Sequence, residues 1–404
     1  MDIRTVTLFD EFVCPPPADR LEILGGIGRT LKAALEAEGY PVQTIRLALG
    51  SAVQTAGGDP ARLPAAAREL EAGCAAAGID YATVGIACPL DPGDFVDAIP
   101  EALAATTRIF AACMITDDTA SIRTATARRA AETIRRCSTI TPDGFGNLRF
   151  AALANVPPGV PFLPGAYHGG GPASLAIGVE AASLAVEACR AASTLDECRE
   201  RLIALIESHA ESIAKVVDRV RPAYLRFRGI DFSLAPFPDL SRSVGTAIER
   251  VSGVRVGEPG TLAATAFLTD TLRRARIPRA GYSGVFLPVF EDAVLAARAT
   301  ERLYSINDLL LWSAVCGTGL DTVPLPGDVS AATLAAILVD LAALALRLDK
   351  PLTARLMPIP GKKAGDRVEF DFPYFAPTRV LEARGPGLGG LLAGADIIPQ
   401  GARA

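Results

Sequence analysis

Strand-like and helix-like runs alternate through the first 155 residues, and this alternation constrains the fold more than any other feature of the chain. Short apolar runs predict strands at 3–9, 42–49, 81–87, 108–115 and 148–154. Amphipathic stretches predict helices at 21–39, 61–78, 94–104 and 120–137. Because parallel strands need crossover connections, which are usually helical, this order predicts an α/β fold with parallel strands.

A Pro- and Gly-rich stretch at 155–172 interrupts that alternation. Two long helices are predicted directly after it, at 173–191 and 195–220. Further strands are predicted at 224–234, 283–290, 322–325, 352–359 and 367–372, with helices at 244–251, 261–274, 291–299, 306–316 and 330–348. The chain is thus predicted to be one domain, 1–383, with halves at about 1–155 and 172–383, each of about five strands. The Gly-rich tail 384–404 is predicted to be loosely ordered.

Charge and composition exclude several classes of function. The net charge is -5 and the basic residues are scattered, so the chain lacks the basic stripe that nucleic-acid binding needs. No apolar run reaches the ~20 residues that cross a bilayer, and acidic residues interrupt 1–25, which argues against a signal peptide. We therefore expect neither a nucleic-acid partner nor a membrane partner.

Cysteine and glycine patterns also exclude common cofactors. The eight cysteines are dispersed without a CxxC pair, which argues against an iron–sulfur cluster and for a reducing, cytoplasmic location. The run Gly25-Gly26-Ile27-Gly28 lies within a predicted helix instead of following a strand, so no nucleotide cofactor is expected from it.

His168 is the first candidate site residue. It is one of only two histidines and lies in a loop with three consecutive glycines, Gly169 to Gly171. Such glycines let backbone approach a ligand closely, and an imidazole can transfer a proton or bind a metal ion. The helix predicted to start after Pro172 would favour an anion beside it. We therefore predict a catalytic His168, with Tyr167, Gly169 and Gly170 as ligand-binding residues.

Polar residues at predicted strand ends supply the other candidates. Asp231 and Ser233 share one side of an extended segment, either as the wet face of an edge strand or as groups directed into a pocket. In the second case we predict that Asp231 is catalytic and that Ser233 binds ligand. Glu291, in the acidic pair with Asp292, either complements a helix dipole or enters a pocket at a strand end. Ser283 begins the preceding strand and is predicted to bind ligand.

Cys316 is the last candidate. It precedes the turn Gly317-Thr318-Gly319, and it is the only cysteine followed directly by a Gly-rich turn, which makes it a candidate nucleophile. A plain helix C-cap explains Gly317 equally well, and Asp321 either begins a strand or joins the site. A divalent ion, Mg, Mn or Zn, is a candidate cofactor, with ligands drawn from His168, Asp231, Glu291 and Asp321.

Four of these stretches together resemble an uncharacterised family, domain of unknown function 711, also called uncharacterised protein family 0210. They are 165–169 (GAYHG), 231–236 (DFSLAP), 283–292 (SGVFLPVFED) and 316–324 (CGTGLDTVP). The likeness covers roughly residues 140–375 well and the first 140 loosely.

The resemblance implies a fold like that of the pyruvate formate-lyase superfamily: a ten-stranded α/β barrel of two five-stranded halves with outer helices and a loop threaded into its centre. Glycyl-radical chemistry is not expected, because Gly253 lies mid-chain and no aromatic residue follows it. Members of the family are often encoded beside a small ACT-type amino-acid-sensing protein, which implies a link to amino-acid or carboxylate metabolism.

Two functional hypotheses follow. The first is an enzyme that uses acid/base or metal-assisted chemistry on a small carboxylate or amino-acid-like metabolite. The second is a non-catalytic sensor that only holds such a ligand. Ala-rich helices also predict a homo-oligomer.

Overall fold

Strands and helices alternate along most of the computed structural model, which describes residues 1–92 and 94–400. The strands are β1 (Asp2–Phe9), β2 (Val42–Ala48), β3 (Tyr81–Ala87), β4 (Ile109–Met114), β5 (Ser121–Arg123), β6 (Phe150–Ala154), β7 (Ser174–Glu180), β8 (Arg226–Asp231), β9 (Gly319–Pro326), β10 (Leu352–Ile359), β11 (Arg367–Val368), β12 (Thr378–Arg379) and β13 (Ile397–Pro399). The α-helices are α1 (Ala18–Ala37), α2 (Ala52–Thr55), α3 (Leu63–Ala76), α4 (Phe95–Ala104), α5 (Thr124–Cys137), α6 (Ala182–Ala191), α7 (Leu195–Val220), α8 (Val244–Ser252), α9 (Thr261–Arg274), α10 (Ala293–Thr300), α11 (Ile306–Ser313), α12 (Ala331–Arg347) and α13 (Gly390–Ala393). The predicted α/β class is confirmed.

One large sheet organises the molecule. Its nine strands have the order β8-β7-β1-β2-β3-β4-β6-β10-β9. Strands β1, β2, β3, β4 and β6 are mutually parallel. β7 is antiparallel to β1 and parallel to β8, and β10 is antiparallel to β6 and parallel to β9. Two parallel groups of strands therefore run in opposite directions, and the direction changes at the boundary predicted between the halves.

The predicted strand at 283–290 is an extended segment with isolated bridges instead of a regular strand. Leu234, just beyond β8, bridges in parallel to Val285, and Pro288 bridges in parallel to Asp321 of β9. The segment thus contacts both outer strands of the nine-stranded sheet.

The two faces of the sheet pack against different partners. On β10, Leu352, Ala354 and Leu356 belong to the main core that also contains the apolar sides of the helices. The alternate residue Met357 belongs to a separate aromatic cluster on the other face. Because side chains alternate along a strand, one face carries the helix layer and the other surrounds an inner space.

Several helices in the second part of the chain begin after a side-chain cap. Thr194 accepts a hydrogen bond from Glu197 N at the start of α7, and Ser330 accepts one from Thr333 N at the start of α12. Such caps satisfy main-chain N–H groups that have no partner within the helix.

The helix predicted over 173–191 is wrong for its first half. Residues 174–180 form β7, in which every residue is buried, and only α6 is helical. A strand covered on both faces loses the alternation of apolar and polar residues, so its apolar run cannot be distinguished from a buried helix.

Two smaller differences concern the end of the chain. The predicted strand at 367–372 is reduced to the two residues of β11, and Phe370 and Phe372 beyond it contact the ring of Phe145. The tail predicted to be loosely ordered from residue 384 instead pairs through β13 with β5. Its last four residues lie outside the described part of the chain. Within the described part, no helix is both long and apolar enough to span a bilayer.

Candidate functional site

The predicted His168 loop is held by the first half of the sheet. The main-chain N–H of His168 donates to Leu49 O, just beyond β2, and the imidazole is buried at 3% exposure. Its Nε2 lies 3.2 Å from Gly171 O, while Nδ1 has no partner in the part of the chain that the structure describes. The helix expected after the loop is β7, so the predicted helix dipole beside His168 is wrong.

The neighbours of His168 shape the loop. Tyr167 donates its hydroxyl hydrogen bond to Val156 O at 2.7 Å, and Gly169 packs against Pro158. Gly170 and Gly171 are exposed and have φ values of 84° and 80°, a region that favours glycine. These contacts explain the glycines by backbone geometry.

Asp231, Ser233 and Ser283 form one buried network. Asp231 accepts hydrogen bonds from Ser233 Oγ at 2.5 Å, Tyr282 N at 2.7 Å and Ser283 N at 2.8 Å. Burial raises the pKa of Asp231 to about 6, against the effect of these three donors. The network fixes the backbone of the bridging segment 283–290 to the end of β8, which is a structural function for all three predicted residues.

Cys316 is also used structurally. Its thiol is buried and accepts a hydrogen bond from Gly319 N at 3.3 Å, and Lys350 Nζ donates to Cys316 O at 2.6 Å. These contacts fix the turn that leads into β9.

Two alternatives were considered for the acidic pair Glu291 and Asp292, a role at a helix start and a position in a pocket. Each residue takes one of them. Asp292 caps α10 by accepting from Val294 N and Leu295 N. Glu291 lies beside an internal cavity, next to Asp321. Of the predicted metal ligands, Glu291 and Asp321 are therefore brought together.

The cavity occupies the inner side of the sheet and has a volume of about 360 Å³. This is within the range of small-molecule pockets. Strands from both halves contribute to its wall, and so does the loop after β6 through Phe162, Leu163 and Gly165. His168 and Asp231 are not among the described residues that line it.

Arginines and carboxylates form an ion-pair chain at one side of this cavity. Arg355 donates to Asp321 Oδ1 at 2.6 Å and to Glu291 Oε1 at 2.7 Å. Arg4 donates to Glu291 Oε2 at 2.7 Å and pairs with Glu180 at 2.9 Å. Burial raises the pKa of Asp321, whereas Arg355 opposes this shift. Within this ion-pair chain, one carboxylate oxygen, Asp321 Oδ2, accepts no hydrogen bond from any of the described residues.

Arg46 lines the same cavity in a different electrostatic situation. Its Nε donates to Thr44 Oγ1 at 2.9 Å, and no carboxylate among the described residues pairs with it. Burial, together with Arg4 and then Arg355, lowers the pKa of Arg46 to about 9. Arg149 differs, because its guanidinium donates to three main-chain carbonyls. Arg46 therefore presents terminal nitrogens that no described group satisfies.

Two hydroxyl groups at the cavity also lack partners. Tyr282 OH and Thr318 Oγ1 are buried without a hydrogen bond in the described part of the structure, and both residues line the cavity. Burial raises the pKa of Tyr282 well above its ordinary value, so the phenol stays neutral. Buried polar groups normally have a partner, so these two are positions where a ligand could bind.

Sequence reasoning missed the arginines that line the cavity, among them the strand residues Arg4, Arg46 and Arg355. Each of these three lies inside a strand whose other residues are mostly apolar. A charged residue within a predicted buried strand was the signal that could have identified them, because an arginine is rarely buried without a partner.

The described residues contain no group of three or more His, Cys, Asp or Glu side chains arranged to hold a metal ion. Arg355 and Arg4 already take three of the four oxygens of Glu291 and Asp321. A divalent cation would have to displace a guanidinium there, so this donor set does not fit the predicted metal.

Residues 1–372 match the model of a family described as Uncharacterised ACR (DUF711). The match starts at the first residue, so it includes the first 140 residues, where the resemblance was loose. The chain belongs to this family.

Relatives named UPF0210 protein agree with the match. The one from Oleidesulfovibrio alaskensis is 31% identical over 401 residues, covering 92% of this chain and 88% of the relative. Those from Pyrobaculum arsenaticum and Pyrobaculum aerophilum are 34% and 36% identical over 280 and 282 residues. Both of these alignments cover 67% of this chain and 61% of the relative. Neither the family description nor these names state a function.

Proposed function

We propose that the protein is an enzyme that binds a small carboxylate-bearing metabolite in the cavity and acts on it by acid/base chemistry. The observation that carries this proposal is the unpaired guanidinium of Arg46 inside a cavity of ligand size. Arg46 is partly buried and no described carboxylate pairs with it, so a ligand carboxylate would supply the charge-assisted hydrogen bonds that its guanidinium lacks.

The other polar groups have complementary tasks in this proposal. Asp321 is the candidate base, because burial raises its pKa and its Oδ2 is free to accept a proton. Tyr282 is the candidate donor to a ligand oxygen, since its buried hydroxyl lacks a partner among the described residues. Arg355 positions Asp321 and Glu291. The predicted catalytic roles of His168, Asp231 and Cys316 stay predictions without support from the cavity lining.

We further propose that the sheet closes into the ten-stranded barrel that the resemblance implies. The support is the pair of bridges that the segment 283–290 makes, one beyond β8 and one to β9. Closure of this kind would enclose the ligand within the inner face and exclude water from it. A homo-oligomer, an ACT-type partner and a cytoplasmic location also stay predictions.

Binding is the first test of this function. Melting shifts would be screened with monocarboxylates, dicarboxylates and 2-amino acids, and the ligands that raise the melting temperature would be titrated by calorimetry. Arg46→Gln should weaken their binding about 10- to 100-fold, as expected for a charge-assisted hydrogen bond. The matched control is Arg226→Gln, which removes an exposed strand arginine and should leave binding unchanged. Equal affinities for wild type and Arg46→Gln would reject the site.

Proton transfer is the second test. A bound carboxylate would be incubated with the protein in D2O, and exchange of its C–H hydrogens, at C2 of an amino acid or C3 of a 2-oxo acid, followed by NMR. Asp321→Asn should slow exchange by about 10²- to 10⁴-fold. Arg46-dependent binding with neither exchange nor product would instead favour the non-catalytic sensor. Elemental analysis of protein purified without chelator tests the predicted metal separately.

A further inference from the structure

We infer that the ligand joins its carboxylate to a flat apolar body, so that the substrate class is an aromatic or similarly bulky apolar carboxylate. This inference rests on the proposed function and deepens it. It concerns the uncharged part of the cavity wall. The roles proposed for the ion pairs and for Arg46 do not explain why that part is apolar.

The first apolar wall begins directly beside Arg46. Tyr81 lies opposite Arg46 in the β2–β3 register, and the guanidinium carbon is 5.9 Å from the Tyr81 ring centroid. Tyr81 in turn makes an edge contact with Phe110, with centroids 5.6 Å apart. Phe110 packs with Leu163 of the loop after β6. A ligand with its carboxylate on Arg46 therefore meets aromatic carbon at once.

A second wall comes from the other half of the chain. Phe286 of the bridging segment contacts Phe162 at 5.2 Å and Tyr282 at 5.7 Å between centroids. All three line the cavity. These rings can make the same kind of contact with a ligand ring placed beside them, because aromatic pairs prefer offset or edge geometries.

The contrast in composition of the lining sets the class of ligand. Polar groups line the cavity at Arg4, Arg46 and Arg355 and also at Thr107, Thr141 and Arg149, whereas Phe110, Phe162 and Phe286 offer only carbon. A short dicarboxylate would leave these rings facing water, so that burial of their surface would contribute nothing to its binding. A carboxylate that carries a ring satisfies both parts of the cavity.

Two matched ligand pairs test this inference on the full chain. Phenylpyruvate is compared with pyruvate, and phenylalanine with alanine, by calorimetry. Burial of the ring should tighten binding about 10- to 100-fold within at least one pair. The two pairs also separate a 2-oxo acid from a 2-amino acid. Equal or weaker binding of the ring-bearing member in both pairs would overturn the inference.

Variants distinguish a failure of this inference from a failure of the proposed function. Phe110→Leu keeps an apolar side chain and should weaken the ring-bearing ligands about 2- to 10-fold, with pyruvate and alanine unaffected. Arg46→Gln should weaken every ligand. Arg46-dependent binding without a ring preference would sink this inference alone, whereas no Arg46-dependent binding in either pair would also sink the proposed function.

Discussion

Arg46 and Arg355 lie on the same inner face of the sheet, yet the side chains that accept their hydrogen bonds differ in charge. Arg355 has two carboxylate partners, Asp321 and Glu291, whereas Arg46 has a hydroxyl group as its side-chain partner. Breaking a buried ion pair leaves charges without compensation, whereas removing the partly buried Arg46 breaks no ion pair with a described carboxylate. The two positions should therefore respond differently to the same substitution.

Replacement of each arginine by methionine tests this difference. We expect Arg355→Met to lower the free energy of unfolding by about 3–5 kcal/mol, because two carboxylates lose their cation. Arg46→Met should leave the free energy of unfolding unchanged or raise it by about 1 kcal/mol, the typical cost of functional groups kept at a site. Urea denaturation of both variants measures the difference. A loss of stability at Arg46 equal to that at Arg355 would contradict the description of Arg46 as unpaired.

Asp231 provides a prediction of pH dependence. Burial raises its pKa to about 6 in the folded protein, so between the unfolded pKa and about pH 6 the folded state binds more protons than the unfolded state. This contribution of Asp231 to stability is therefore largest in acid and decreases as the pH rises to about 6. Asp231→Asn removes the titration.

The variant Asp231→Asn should be less stable than wild type, because an amide supplies a donor where Tyr282 N and Ser283 N already donate. The difference in free energy of unfolding between the two proteins should narrow from about pH 4 to pH 7. Urea denaturation at both pH values measures it, with Ser233→Ala as a control that keeps the carboxyl group. A difference that widens with pH would contradict the raised pKa.

At the scale of elements, sequence reasoning found most strands of the sheet, since β1, β3 and β10 have clear apolar runs between turn residues. It missed β7, because a strand buried on both faces has no alternation to detect. It also selected Asp231 as a polar residue of an extended segment and Cys316 from the Gly-rich turn that follows it, two patterns that structural turns share. The cavity depends on pairing between distant strands, which a single sequence does not specify.

The bridging segment 283–290 has two glycines in close contact at its start, Gly284 of the segment and Gly317 before β9. A Cβ atom on Gly284 would lie 2.5 Å from Gly317 Cα, and Gly317 N donates to Val285 O at 2.6 Å. We expect Gly284→Ala to separate these backbones and to lower the free energy of unfolding by about 1–3 kcal/mol. Hydrogen exchange should then increase at the amides around 284–289.

The control for that substitution is Gly26→Ala within α1, where the nearest atom to the new Cβ would be Arg29 at 3.9 Å. Alanine there should stabilise the protein by about 0.5–1 kcal/mol through helix propensity. Thermal melts of both variants provide the comparison. Equal effects of the two substitutions would show that the contact between Gly284 and Gly317 does not constrain the segment.

At the scale of the whole molecule, the two groups of parallel strands depend on each other. β1 pairs with β7 and β6 pairs with β10, so each outer strand of the first group is covered by a strand from the second. The ion-pair chain also crosses this boundary, because Arg4 of β1 bonds Glu291 and Glu180. The molecule should therefore unfold as one cooperative unit instead of half by half.

This mutual covering has a consequence during synthesis on the ribosome. The segment 1–155 emerges first, with both edge strands of its sheet unpaired. Unpaired edge strands readily form hydrogen bonds with other chains. Expressed alone, it should collect in the insoluble fraction, and co-expression of 156–404 should return it to the supernatant, as measured by sedimentation and gel analysis. A monomeric, folded 1–155 would contradict this dependence. Cells that make the protein must therefore shield the nascent first half until β10, some 200 residues later, has emerged.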